Sequence, residues 1–364
     1  MKYGRKLSVE LAETILKRYP DPDQYPYQSW SYSQGFMLWG FIRLWEETGE
    51  QRYYDYVMRY AGDHVDAEGN ISGFTGVSLD DVMAGSVLVW AFVQTGQEKY
   101  RNACNRIRSV FDTYPRMSDG GFWHGKWCPQ EMWVDGLFMG LMFLSKYGKY
   151  VADGEFCFNE TAKQLKSIYS HCRRGDTGLL VHAWTENKSV AWADPDTGCS
   201  PEVWSEGLGW YAMILADVLE VFPESHPERS SLVEQFEQLL ESLKDHQDPV
   251  TGLWDQVVDK ETLSDNWNDT SGSAMFLYAI RKFIDLGITS PEIFGPIAEK
   301  GYEGLLEKAV LNEDGLVDIQ DACDGLCVQV NYDVYVKYEK VVNAKEAVAA
   351  CLWAAVIMEK NNDR

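Results

Sequence analysis

The chain has 364 residues, 45% of them hydrophobic and 13% aromatic, and a formal net charge of −23. That charge excludes nucleic acid and anionic membrane surfaces as partners, because both are held through basic patches. A small anionic ligand answers to the local field of a cleft and stays open. The 14 Trp and 20 Tyr suit a protein that stacks sugars on flat aromatic faces, and equally a helical protein with an aromatic core.

In chain order, MKYGRKLSVELAETILKRY (1–19) reads as a charged amphipathic helix rather than a secretory signal. With no apolar run long enough to span a bilayer, a cytoplasmic protein is expected. An apolar helix follows at 31–47, then a charged amphipathic one, EQRYYDYVMRYAGDHV. The stretch DAEGNISGF (66–74) opens a recurring plan, an Asp/Asn/Gly turn leading into a short aromatic or β-branched extended piece. It returns as MSDGGFW (117–123), GDTGLLVHAW (175–184), DPVTGLWDQV (248–257) and NEDGLVDI (312–319). Helices with little charge are predicted at 79–95, 129–147, 202–221, 270–286 and 344–359, and amphipathic ones such as SLVEQFEQLLESLKDH lie between them.

Apolar helices alternating with amphipathic ones predict an inner, buried layer and an outer, half-wet layer. Repeats of this length fit a stacked architecture. The fold expected is an all-α (α/α)6 barrel, one domain over 1–364, with short β pieces in the loops at its mouth. An open helical solenoid is the alternative. The toroid is favoured because a closed ring buries the aromatic mass of the inner helices. The turns and the N-terminal ends of the inner helices then gather at one mouth, where amides and helix dipoles favour anions.

The helix starts place polar groups among indoles at equivalent points of the repeats. They offer Trp30, Tyr32 and Gln34; Asp80 and Asp81; His124, Lys126, Trp133 and Asp135; His182 and Trp184; Glu202, Trp204, Glu206 and Trp210; and Asp265, Asn266, Trp267 and Ser271. Most have a plain structural reading. Asp80 or Asp81 suits a helix N-cap, with the other pointing inward. Glu202 suits dipole compensation, the histidines suit buried hydrogen-bonded positions, and the tryptophans suit packing.

Asp135 resists that reading. In PQEMWVDGLFMG (129–140) a helix starting after Pro129 puts Asp135 beyond the first turn, which argues against capping. A carboxyl buried among indoles has its pKa raised and can keep its proton as a general acid. With Asp80 it supplies the two carboxylates that an inverting glycosidase needs. A sugar epimerase is disfavoured by a chain with only 6 His. There is no nucleotide loop, GxSxG elbow or HExxH. Of the eight cysteines only Cys323 and Cys327 are close, without a second pair at zinc spacing, so neither metal nor disulfide staples are expected.

At these residues the chain resembles the unsaturated rhamnogalacturonyl hydrolases of glycoside hydrolase family 105, and more distantly the unsaturated glucuronyl hydrolases of family 88. The likeness runs through SYSQGFMLWGFIRLWEETGE (31–50), SLDDVMAG (78–85), GGFWH (120–124), EMWVDGLFMG (131–140), HAW (182–184), WADPDTGCSPEVW (192–204), GLGWY (207–211), TGLWDQVVDK (251–260) and DNW with SGS (265–273). The resemblance implies an (α/α)6 barrel and substrates with a 4,5-unsaturated uronic acid at the non-reducing end, left by polysaccharide lyases. Such enzymes hydrate the C4=C5 vinyl ether: an aspartic acid protonates C4, water adds at C5, and the hemiketal opens and expels the leaving sugar.

By the MWVDG match the acid/base falls on Asp135. The second aspartate falls on Asp80, with Asp81 as the fallback. Tyr32, His124, Trp133, His182, Trp204 and Trp210 match positions lining the sugar site, and no metal or organic cofactor is implied. Glu206 also stands in this site, at a departure. Close members often carry Arg within W-x-R-x-x-G-W, where this chain reads WSEGLGW. Gly125 stands where some members have Lys, with Lys126 one residue on. The leaving sugar therefore stays open between rhamnose and another, as does a non-catalytic sugar-binding role.

Overall fold

The structure is a computed structural model that describes residues 5–360. Its outer helices carry one apolar stripe. Helix α1 (Leu7–Arg18) precedes α2 (Tyr32–Thr48), and α3 (Gln51–His64) buries Tyr53, Tyr56, Val57, Tyr60 and Ala61 at helical spacing. Then come α4 (Asp80–Met83), α5 (Gly85–Thr95), α6 (Glu98–Val110), α7 (Val134–Tyr150), α8 (Gly154–Cys172) and α9 (Ser205–Val221). Every residue of α9 except Glu220 is buried, as an inner-layer helix requires. The next helix, α10 (Arg229–Asp245), buries only the stripe Leu232, Gln235, Phe236, Leu239, Leu240 and Leu243. The chain ends with α11 (Thr270–Asp285), α12 (Pro291–Lys308), the short α13 (Tyr332–Lys337) and α14 (Lys345–Met358).

The inner helices pack in a ring: α2 on α4 and α5, these on α7, then α9, α11 and α14, which returns to α2. The outer layer is α1, α3, α6, α8, α10 and α12. Closure distinguishes this barrel from a solenoid, and it is made by the two ends of the chain. Helix α1 packs on α14, and the Glu359 carboxylate accepts the Leu7 and Ser8 amides at 2.7 and 3.0 Å. It thereby satisfies two of the amides that a helix start leaves without partners. Close approach within the ring uses glycine: a Cβ on Gly40 would lie 2.6 Å from Leu352.

The recurring turns are a real repeat. Gly69, Gly120, Gly175, Gly252 and Gly315 all sit at positive φ, which glycine adopts without strain. The Asp66 carboxylate accepts from the Glu68 and Asn70 amides, and Asp248 does the same for Val250 and Thr251. Short antiparallel bridges close several of these turns, Val65 on Ile71, Arg116 on Phe122 and Arg173 on Leu180, while β1 (Glu131–Trp133) pairs with β2 (Ala183–Thr185) from one repeat to the next.

Two element boundaries differ from expectation. The helix expected over 79–95 is broken at Ala84, where Ser86 Oγ donates to the Met83 carbonyl at 2.7 Å. The helix expected from 129 starts only at Val134, because 131–133 are taken up by strand pairing with β2. No helix among the described residues is long and apolar enough to cross a membrane.

Candidate active site

The N-terminal ends of the inner helices line a cavity of about 230 Å³. This is below the ~300–1,000 Å³ of pockets for drug-sized ligands and suits a single sugar ring. Its wall includes Tyr32, Asp80, His124, Trp133, Asp135, Trp204, Glu206 and Trp210, so the repeat brings these candidates from four inner-helix starts to one place. His182 is not on the wall; it lies behind Asp135 and is fully buried. Lys126 is exposed and outside the cavity.

The two adjacent aspartates separate cleanly. Asp81 is held in the preceding turn, accepting from the Thr75 hydroxyl and from the Val77 amide at 3.2 Å. Asp80 makes no side-chain cap for α4 and faces the cavity. Trp30 donates to the Asp81 carbonyl, and Gln34 is tied to Ser31 and the Tyr25 carbonyl, so both serve the scaffold. Trp184 stacks on His171 at 3.5 Å, Trp267 donates to the Val336 carbonyl and Asp265 accepts from Tyr332.

His124 stands between two carboxylates. Its Nε2 is 3.6 Å from Asp80 and its Nδ1 is 3.9 Å from Asp135. The loop around it is fixed: the His124 amide donates to the Glu131 carbonyl at 2.7 Å, and its own carbonyl accepts from Leu79 and Tyr114. Its ring stacks on Trp133 at 4.3 Å. A Cβ at Gly136 would lie 2.6 Å from Nδ1, so only glycine there lets the imidazole reach the start of α7. Burial lowers the His124 pKa, but Asp80 and Asp135 outweigh it and raise the pKa to about 9.

His182 approaches Asp135 from the other side, with Nε2 3.5 Å from Oδ1. The Tyr335 hydroxyl lies 2.9 Å from its Nδ1 and also accepts the Gln329 amide at 3.2 Å. With the Gln329 amide donating to it, the Tyr335 hydroxyl has its own proton available for Nδ1, and Asp135 beside Nε2 favours the tautomer that accepts it. The neutral ring therefore carries its hydrogen on Nε2, toward Asp135. Burial keeps His182 neutral, lowering its pKa despite Asp135.

These neighbours correct the expected state of Asp135. Burial does push its carboxyl up, as the indole surroundings suggest. The His124 imidazolium and the His182 contact outweigh burial and hold it below the usual carboxylate range. Asp135 also lies in the first turn of α7, not beyond it, so the helix dipole favours the anion as well. In the resting site the proton sits on His124 and Asp135 is ionised.

At the lip, Trp127 is 56% exposed and packs edge-on to Trp133 at 5.2 Å. Gly125 makes room for it, since a Cβ there would lie 2.5 Å from the Trp127 indole nitrogen. The remaining wall comes from residues that sequence reasoning missed: Tyr27, Met139, Gly325, Leu326, Cys327, Lys345 and Glu346. Gly325, Leu326 and Cys327 belong to a further Asp-Gly turn, DGLCV (324–328), with Gly325 at positive φ like the other turn glycines, one not counted with the repeat from sequence. All eight cysteines are free, and no cluster of three metal-ligating side chains occurs among the described residues.

The sequence profile described as Glycosyl Hydrolase Family 88 matches residues 7–362. The chain belongs to that family. It is 35% identical over 154 residues to Protein Atu3128 of Agrobacterium fabrum, an alignment covering 42% of this chain and 64% of that relative. The chain thus spans less than two thirds of that relative's length. The unsaturated rhamnogalacturonyl hydrolase YesR of Bacillus subtilis is 23% identical over 340 residues, 91% of each chain. Among solved structures, a C. acetobutylicum glycoside hydrolase from family 105 superposes with a TM-score of 0.91 at 29% identity, over 98% of this chain and 100% of that one. The unsaturated glucuronyl hydrolase of Bacillus sp. GL1 shares the fold, with a TM-score of 0.70 at 15% identity over 97% of this chain and 95% of that one.

Proposed function

We propose that the protein is an unsaturated glycuronyl hydrolase that hydrates the C4=C5 double bond of a 4,5-unsaturated uronic acid at the non-reducing end of lyase-generated oligosaccharides. The observation that carries the reading is Asp135, set between His124 and His182 on an indole-lined wall that it shares with Asp80. Family membership supports the reaction class.

The chemistry assigned to these groups is as follows. An anionic sugar entering the cavity adds negative charge and displaces water, and both effects drive Asp135 toward its protonated form. The His124 imidazolium is the proton source. Asp135 passes that proton to C4, leaving oxocarbenium character at C5 that the Asp80 carboxylate stabilises. Water attacks C5 and gives a proton to Asp135, which passes it back to His124, so the site is restored and the net change is addition of one water. The C5 hemiketal then opens by breaking the bond from C5 to the ring oxygen. This leaves C1 as a hemiacetal, which collapses to an aldehyde and releases the leaving sugar. Tyr32, Trp133, Trp204 and Trp210 would hold the ring.

For the leaving sugar, the likeness to YesR supports unsaturated galacturonyl-rhamnose. Glu206, where close members often have Arg, and Gly125, where some have Lys, favour a second reading with a different leaving sugar or a different hold on the acid group. The test is a panel of unsaturated galacturonyl and glucuronyl disaccharides, followed by loss of the ultraviolet absorbance of the conjugated enol acid. Turnover by the wild type is expected, with the fastest substrate naming the specificity. Asp135→Asn should lower kcat by about 10²–10⁴-fold while remaining folded. A flat trace on every substrate from folded wild type would overturn the reading in favour of a sugar-binding role.

A further inference from the structure

Lys345 is the only Lys or Arg on the cavity wall among the described residues, and it shares that wall with Asp80, Asp135, Glu206 and Glu346. It begins α14, where a cation meets the positive end of the helix dipole, so helix stability does not account for it. Its side chain is 13% exposed, with Nζ 2.9 Å from Glu346 and 3.8 Å from Asp324.

Two buried carboxyls beside it are incompletely satisfied. Glu346 Oε1 accepts from Tyr32 at 2.6 Å and from Lys345, while its Oε2 is buried with no hydrogen-bond partner. Glu206 is 1% exposed, and its Oε2 is likewise without a partner. Burial, with Glu346 and Asp269 nearby, pushes the Glu206 carboxyl well up, toward the form that has a proton to donate. An ammonium, a carboxyl O–H and an open carboxylate oxygen on one wall match a sugar acid. Its carboxylate accepts from the first two, and a ring hydroxyl donates to the third.

We propose that Lys345 is the anchor for the substrate's carboxylate in this chain, with Glu206 and Glu346 completing the subsite, so that the cation lost from position 206 on α9 is supplied instead from α14. This rests on the hydrolase reading above and adds the residue that selects for the acid.

The experiment compares an unsaturated disaccharide with its uronate methyl ester, using the full chain. Wild type should prefer the acid by at least about 10-fold in kcat/KM, the scale of one hydrogen bond to a charged group. Lys345→Met should raise KM for the acid by a similar factor with kcat little changed, and bring the acid-to-ester ratio close to one. Lys345→Arg should restore most of the preference. Equal rates for acid and ester in wild type would overturn the proposal without any variant, which covers the case of a variant that fails to fold. If wild type turns over neither compound, the hydrolase reading fails separately and calorimetric binding decides the anchor. Binding of the acid by wild type but not by Lys345→Met would support it. Equal binding by both, or binding by neither, would overturn it.

Discussion

Helix α9 carries two buried acids, and the barrel treats them in opposite ways. Glu206 lies at the mouth and Asp217 three turns on, toward the far end; they are 1% and 0% exposed. Asp217 is saturated. Arg43 reaches its Oδ1 at 2.5 Å and Lys146 at 3.3 Å, and the Tyr278 hydroxyl donates to Oδ2 at 3.0 Å. Arg43 also stacks on Trp353 at 4.3 Å. Burial pushes the Asp217 carboxyl up, but Arg43 and Lys146 win and hold it well below its ordinary value. Glu206 has acids for neighbours and goes the other way. Two carboxyls on one helix thus shift in opposite directions because one is met by Arg43 and Lys146 and the other by further acids. Unsatisfied buried groups are costly, and at the mouth they coincide with the cavity.

The largest effect is expected at the Asp217 end of α9. Asp217→Asn removes the counter-charge of Arg43 and Lys146 while keeping the shape. Loss of about 3–5 kcal/mol of stability is expected, the cost of orphaning a buried ion partner, and urea unfolding measures it. Activity per folded molecule should stay near wild type. An unchanged unfolding midpoint would show that the two ends are not different in kind.

The two ends should also fail at opposite ends of the pH scale. The His124 pKa is raised from 6.5 to about 9, so its contribution to stability is fully present below about 6.5 and is lost as pH rises through about 9. Asp217 is depressed, so its contribution is present above the usual carboxylate range and disappears only as pH falls through its lowered value. In activity, kcat/KM should decline above about pH 9 as the His124 proton is lost. A pH–rate profile flat through that region would remove His124 as the proton's store.

Much of this was legible because it is local or periodic. The Gly and Asx turns announce themselves in short windows, and α10 shows its single stripe while α9 shows none, so inner and outer layers could be told apart. Equivalence of the helix starts then grouped Tyr32, Asp80, His124, Trp133, Asp135, Trp204, Glu206 and Trp210, which the cavity does bring together. Two things were not legible. The charge of Asp135 depends on distances to His124 and His182, and composition around Asp135 showed only its indoles. Lys345 and Glu346 follow a segment, 322–344, that was not read as part of the repeat, and Glu346 meets Tyr32 across 314 residues of sequence. Ring closure makes that contact, and no window of sequence contains it.

The smallest effect is the most discriminating. If Glu206 works as a neutral donor, Glu206→Gln replaces one uncharged donor by another of nearly the same shape. KM and kcat near neutral pH should then stay within about threefold, less than the loss of one ordinary hydrogen bond at the upper end of its range. The same acid-to-amide change at Asp217, eleven positions on, is expected to cost several kcal/mol. The pair therefore tests charge at fixed geometry on one helix. A large rise in KM in Glu206→Gln would mean that the anion is needed there. The mouth would then set a charged Glu206 among its other acids beside one Lys345, and that arrangement suits a ligand rich in hydroxyl donors better than one bearing a carboxylate.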